Sequence, residues 1–185
     1  DKLAGVPWLG LRFAEIKELD AALVIGSFLR KDHPLFAQRL RQLAKKWGKV
    51  SLLSVAGDDP LIKLHAQLTV SPADLPLALA AVVKAAARLK GEAIPPGLEA
   101  VEPCPTSEAI ASSLLEGEKR ALFLGNAAEQ NPQAAQLHAL ALALARLTGA
   151  SCGFLGEGAN SVGGHVAKAL PTALNAYEMF AQPRK

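Results

Sequence analysis

Residues 21–55, AALVIGSFLRKDHPLFAQRLRQLAKKWGKVSLLSV, decide how the rest of the chain is arranged. An unbroken apolar run over 21–25 ends at Gly26 and gives way to a polar turn closed by Pro34. Phe36, Leu40, Leu43, Ala44 and Trp47 then recur at helical spacing, so the segment reads as strand, turn, amphipathic helix. Gly48 is placed to terminate that helix, and a second apolar run follows over 50–55. A helix joining two such runs is the crossover of a parallel pair, so an α/β chain with a parallel sheet is expected.

At 185 residues, half of them hydrophobic, the chain can bury the core of one domain or of two small lobes. The longest apolar stretches are strand-sized or broken by His138, Arg146 and Gly149, short of the roughly 20 residues a spanning helix needs, so no direct membrane insertion is expected. The net charge of +3 is modest and aromatic residues make up only 5 %, which argues against nucleic acid as a partner. Cys104 and Cys152 have neither C-x-x-C spacing nor a ligand-spaced histidine, so no metal site is expected and reduced, structural thiols are. Asp1 is not an initiator methionine, and no basic-then-apolar leader precedes the first strand, so the chain reads as an excised or processed piece.

Outward from the opening stretch, FAEIKELD over 13–20 suggests a short helix, and 65–70 a third strand. Asp74 is the better placed cap for an Ala- and Leu-rich helix that carries Pro76 in its first turn and stops at Gly91. The segment 92–105, with four prolines and a glycine, reads as a linker between a first lobe, 1–91, and a second, 106–185, each with its own parallel sheet. In the second lobe, Thr106 or Ser107 begins a short helix, 121–124 is a strand ending at Gly125, and Asn131–Pro132 caps a long helix, apolar nearly all round, that ends at Gly149. The Gly-rich stretch 152–165 has too little apolar content for regular structure, and 173–180 suggests a terminal helix. Arg39, Arg41, Lys45, Lys46 and Lys49 give the first crossover helix a basic stripe: a solvated face, or a docking surface for an acidic partner or phosphates.

The two halves echo each other: strand, Gly26, seven residues, Pro34, helix, and strand, Gly125, six residues, Pro132, helix. A glycine where a parallel strand feeds a helix N-terminus is where doubly wound proteins hold nucleotides. Neither turn is a G-x-G-x-x-G or a phosphate-loop motif. The candidate pocket residues are therefore Gly26, Ser27, His33, Gly125 and Asn126, with His33 also placed to cap the helix after it. No catalytic constellation stands out: the other histidines lie in unrelated contexts, no serine sits in G-x-S-x-G, and Glu157 is isolated.

Two stretches carry a family resemblance. VIGSFLRKDHPLFAQRLRQLAKKWGKV over 24–50 resembles the strand, Gly, polar turn, His-Pro, helix segment of the molybdopterin oxidoreductase superfamily, in the form found in the large G subunit of bacterial NADH:quinone oxidoreductase, respiratory complex I. LFLGNAAEQNPQAAQLHALALALARLTGASCGFLGEGANSVGGHVA over 122–167 is similar to the later part of that subunit, including L-x-x-L-T-G and A-N-S-V-G-G. The resemblance implies a Rossmann-like fold of the molybdopterin oxidoreductase middle-domain type. It also implies an internal structural fragment in the peripheral arm, on the cytoplasmic side of the bacterial inner membrane, with the other peripheral-arm subunits as partners. The iron-sulfur clusters would lie in the rest of the parent subunit, with no cofactor and no catalytic residue here. Relatives such as formate dehydrogenase bind a molybdopterin guanine dinucleotide near the turns matching Gly26 and Gly125, and a live cofactor domain of that kind is the alternative. Where those relatives carry G-x-N-P, this chain has Gly26, Ser27, Phe28 and Leu29, and Lys168 stands where G-x-x-A-G has a glycine.

Overall fold

The computed structural model describes residues 6–158, 160–169 and 173–181. In chain order the strands are β1 (Ala21–Ile25), β2 (Lys49–Ser54), β3 (Ala66–Thr69), β4 (Arg120–Leu124) and β5 (Ser151–Phe154). The α-helices are α1 (Leu29–Asp32), α2 (Pro34–Lys45), α3 (Leu75–Lys90), α4 (Pro105–Glu116), α5 (Asn126–Glu129), α6 (Ala134–Thr148), α7 (Ser161–Val166) and α8 (Ala176–Ala181), and a 3-10 turn covers Glu15–Glu18. All four strand pairings are parallel and the order is β3-β2-β1-β4-β5, a doubly wound, Rossmann-like sheet.

One sheet takes strands from both halves, which corrects the expectation of a separate sheet in each of two lobes. β1 and β4 pair over five residues, from Ala21 with Arg120 to Ile25 with Leu124. The segment 92–105 is correspondingly no free linker. Lys84, almost wholly buried in apolar α3, donates from Nζ to Glu99 O at 2.7 Å and ion-pairs with Glu102 at 3.4 Å, which ties the Pro-rich chain down against the helix.

Alternation along β1 explains the layers. Ala21, Leu23 and Ile25 point into one core shared with α3, α4 and α6, whereas Ala22 and Val24 point into another shared with the 3-10 turn, α1 and α2. Phe36 of α2 meets Phe123 of β4 edge-on at 4.8 Å in the second core. β5 was expected to be irregular, but its N–H and C=O groups complete β4's ladder, and residues 8–10 lie against its outer side, with the Phe154 N–H donating to Trp8 O at 2.9 Å. α7 likewise replaces the expected irregularity in the Gly-rich stretch.

The local corrections concern caps. Asp74 holds the N-cap position of α3 but accepts its hydrogen bond from the Ser71 hydroxyl. α4 starts earlier than expected, with Cys104 as N-cap in a reciprocal box with Ser107. Asn131 accepts from the Gln133 N–H and donates to Pro72 O, while α6 begins at Ala134. Trp47, expected on the buried stripe, lies past the end of α2 and is 89 % exposed.

Candidate functional site

In a doubly wound sheet the ligand crevice opens at the carboxyl ends of the strands, where the order reverses. Here that place is between β1 and β4, and it gathers all five sequence-derived candidates. Gly26 directly follows β1, Gly125 directly follows β4, and Ser27, His33 and Asn126 lie on the turns that leave them.

The two turns meet just past the strand ends, where the sheet ladder continues by one bond on each side and a single bond joins turn to turn. The Gly125 N–H donates to Ile25 O, the Ala127 N–H to Gly26 O, each at 2.9 Å, and the Gly26 N–H to Leu53 O at 2.8 Å. Gly26 has φ +63, and a Cβ on it would stand 2.7 Å from the Ala128 nitrogen. A Cβ on Gly125 would overlap the Ser27 side chain and come within 2.7 Å of Gly26 O. Phosphate groups in nucleotide crevices sit in the volume these contacts occupy.

The Ser27 Oγ, His33 Nε2 and Asn126 Oδ1 atoms are buried and lack a hydrogen-bond partner. His33 stands at the junction of α1 and α2, where its carbonyl accepts from the Ala37 N–H; its side chain makes no capping bond, so its expected cap role is carried by the main chain alone. Burial pushes the His33 imidazole below its ordinary pKa, and the nearby Asp32 charge and Asn126 side chain oppose this only in part. The cavity beside Ser27, walled by Phe28, Leu29, Leu52 and Val55, measures about 10 Å³. That is room for about one water molecule, not for a nucleotide. Among the described residues, the turns at the switch point supply buried polar atoms, and the cavity beside Ser27 is too small for a dinucleotide.

A shallower recess of about 300 Å³ lies toward β5, lined by His33, Asn160 and Ser161 and walled by Leu9, Phe13, Phe36 and Phe154. Near this sheet end, burial and then the Glu157 charge push the Glu129 carboxyl up to about 7, although the residue as a whole keeps solvent access. Sequence reasoning left Glu157 isolated; its proximity to Glu129 comes from the pairing of β4 with β5, which periodicity does not reveal. Lys168 has φ +56, a left-handed backbone that a non-glycine residue adopts only at a cost.

The remaining candidates are dispersed. His65 approaches Ala109 O, His138 stacks near Phe154 at 5.1 Å, and the His165 Nδ1 meets Ser161 O at 2.9 Å. Burial raises the Cys152 thiol to about 11, a poor nucleophile at neutral pH. For Cys104, burial pushes upward but hydrogen bonds centred on Ser107 prevail and lower it. Among the described residues no group of three or more His, Cys, Asp or Glu is arranged to hold a metal, and no helix is long and apolar enough to cross a membrane. No protein-family model matches the chain, and no curated protein matches it.

Proposed function

We propose that this chain is the molybdoenzyme-like structural region of the G subunit of a bacterial NADH:quinone oxidoreductase, in the peripheral arm on the cytoplasmic side of the inner membrane. It supports electron transfer from NADH to quinone by shape and docking, with iron-sulfur clusters carried by other parts of the subunit. One observation carries the reading: at the switch point of a nucleotide-type sheet the turn after β4 packs onto the turn after β1, with Ala127 N–H donating to Gly26 O and no room for a Cβ on Gly125 beside Ser27. A fold that keeps the strand order of a dinucleotide binder and fills its crevice suits a domain retained for architecture.

The test is to tag the full subunit on the chromosome and resolve detergent-solubilised membranes on a native gel. The tag is expected to migrate with NADH dehydrogenase activity in a large assembly; migration apart from that activity rejects the reading. The alternative, a cofactor domain of a molybdopterin guanine dinucleotide oxidoreductase, draws support from the three buried polar atoms without partners. It requires stoichiometric pterin and molybdenum in the full subunit made in a molybdenum-replete host, where the scaffold reading expects neither.

A further inference from the structure

The outer face of α2 and the loop leading to β3 hold a concentration of charge and apolar surface that the sheet end does not explain. Residues 29–64 contain eight Lys and Arg against three Asp, a net +5, while the whole chain is only +3. Among the described residues, Lys49 alone of these cations has a carboxylate within ion-pair distance. The others are organised against neutral groups: Arg30 donates to Asp59 O, Arg41 to Leu61 O, and the Lys63 ammonium stands 5.9 Å from the centre of the Trp47 ring. These contacts join helix and loop into one largely positive surface, bordered beyond Lys46 and Trp47 by a recess that Asp20, Glu116 and Glu118 line.

Three large apolar side chains stand on that surface, with Leu35 74 %, Trp47 89 % and Leu61 55 % exposed. Trp47 and Leu61 also have φ +71 and +53, left-handed backbone that non-glycine residues adopt only at a cost. Gly48, next to Trp47, is the residue suited to that conformation. A Cβ on Gly48 would run into the Leu43 side chain, so the glycine serves packing and the left-handed position falls to the tryptophan. The fold thus bears strain at a side chain that contributes almost nothing to its core.

We propose that this face is the docking surface for an acidic protein neighbour, with Trp47 entering an apolar recess of the partner while Lys45, Lys46 and Lys63 meet carboxylates around it. A protein suits the face better than a polyphosphate: Asp58 and Asp59 are interleaved with the cations, and Leu35 and Leu61 offer apolar contact, not a stacking platform. The inference rests on the scaffold reading and gives that scaffold its attachment surface and the charge of its partner.

The test compares the full tagged subunit with its Trp47→Gly and Lys45→Glu/Lys46→Glu variants, purified from native membranes, by the amount of other NADH dehydrogenase subunits recovered. Trp47→Gly removes the anchor and relieves the backbone, so the variant's melting temperature is expected to be unchanged or higher while co-purification falls roughly tenfold or more. The lysine pair is expected to cause a smaller loss that deepens at raised salt. Wild-type recovery by both variants overturns the docking surface and leaves the scaffold reading standing. A wild-type subunit that recovers no such subunits overturns both. A lowered melting temperature that accounts for the loss assigns Trp47 to stability and overturns the docking role, as does wild-type binding to a short single-stranded oligonucleotide that Trp47→Gly abolishes.

Discussion

The turn after β1 and the turn after β4 are built from the same parts in the same order, and their glycines answer different needs. Each runs strand, glycine, one-turn helix, proline, long helix: Gly26, α1, Pro34 and α2 in the first, Gly125, α5, Pro132 and α6 in the second. Gly26 is needed for its backbone, at φ +63, whereas Gly125 lies at φ −102, open to any residue, and is needed for the space beside Ser27. The helices that follow diverge as well. α2 presents charge to solvent on one side, while α6 packs against α3 in the apolar layer. A repeated strand-to-helix unit can therefore close on its own copy, with each half filling the place where the other half would have held a ligand.

Substitution at the two glycines sharpens the contrast most. Gly125→Ala is expected to cost about 3 kcal/mol in urea unfolding, since the new methyl meets backbone as well as a side chain. Gly26→Ala is expected to cost a similar amount from strain and contact together, while Gly91→Ala, also left-handed at φ +72 but facing open space, is expected to cost only about 1 kcal/mol. Equal, small effects at all three would mean that the sheet end is looser than these contacts require.

A second difference is electrostatic. α1 ends at Asp32 beside His33, and α5 ends at Glu129, whose carboxyl is driven up to about 7. Because its folded pKa exceeds the unfolded value, the folded state binds the extra proton, and stability is expected to fall as pH rises from about 4.5 to about 7. Glu129→Gln is expected to remove that slope and to add about 1 kcal/mol at pH 8, a figure reduced for the solvent exposure of the carboxyl. A pH profile identical to that of the wild type would refute the raised Glu129 value.

Smaller effects come from the polar atoms between the turns. Ser27→Ala is expected to change stability by less than about 1 kcal/mol, in either direction, because the hydroxyl is buried without a partner. A larger loss would reveal a partner for it and favour the cofactor alternative. His33 has its pKa lowered by burial, so its neutral form is the folded one and stability is expected to fall as pH drops below the unfolded value of about 6.5. Proton NMR titration is expected to place His33 below the ordinary histidine value; an ordinary titration would mean that the crevice admits water freely.

Much of this fold was legible in the sequence because its central strands are mostly apolar runs, unbroken in β1 and interrupted by Ser51 and Ser54 in β2. β1, β2 and β4 carry such runs, and Gly26, Gly91, Gly125 and Gly149 end the elements that precede them. β5 was not legible: Ser151, Cys152 and Gly153 lack the β-branched and aromatic pattern of a strand, and the segment becomes one through β4's ladder and the cover of residues 8–10. The single sheet was hidden for a related reason. Periodicity identifies a strand but not its neighbour, and the proline-rich 92–105 resembles a boundary until Lys84 is seen holding it. The five pocket candidates follow from the glycines alone, whereas the contact between the two turns depends on pairing across about 100 residues, which periodicity does not reveal. Trp47 fitted the helical spacing of a core residue and lies outside the helix because Gly48 is required against Leu43.

Titration with guanosine diphosphate, followed by thermal unfolding, tests the closed switch point most directly, since a ligand at 100 times its dissociation constant raises stability by about 2.7 kcal/mol. The account predicts no saturable shift for the wild type. A saturable rise in melting temperature that Asn126→Ala removes would contradict it.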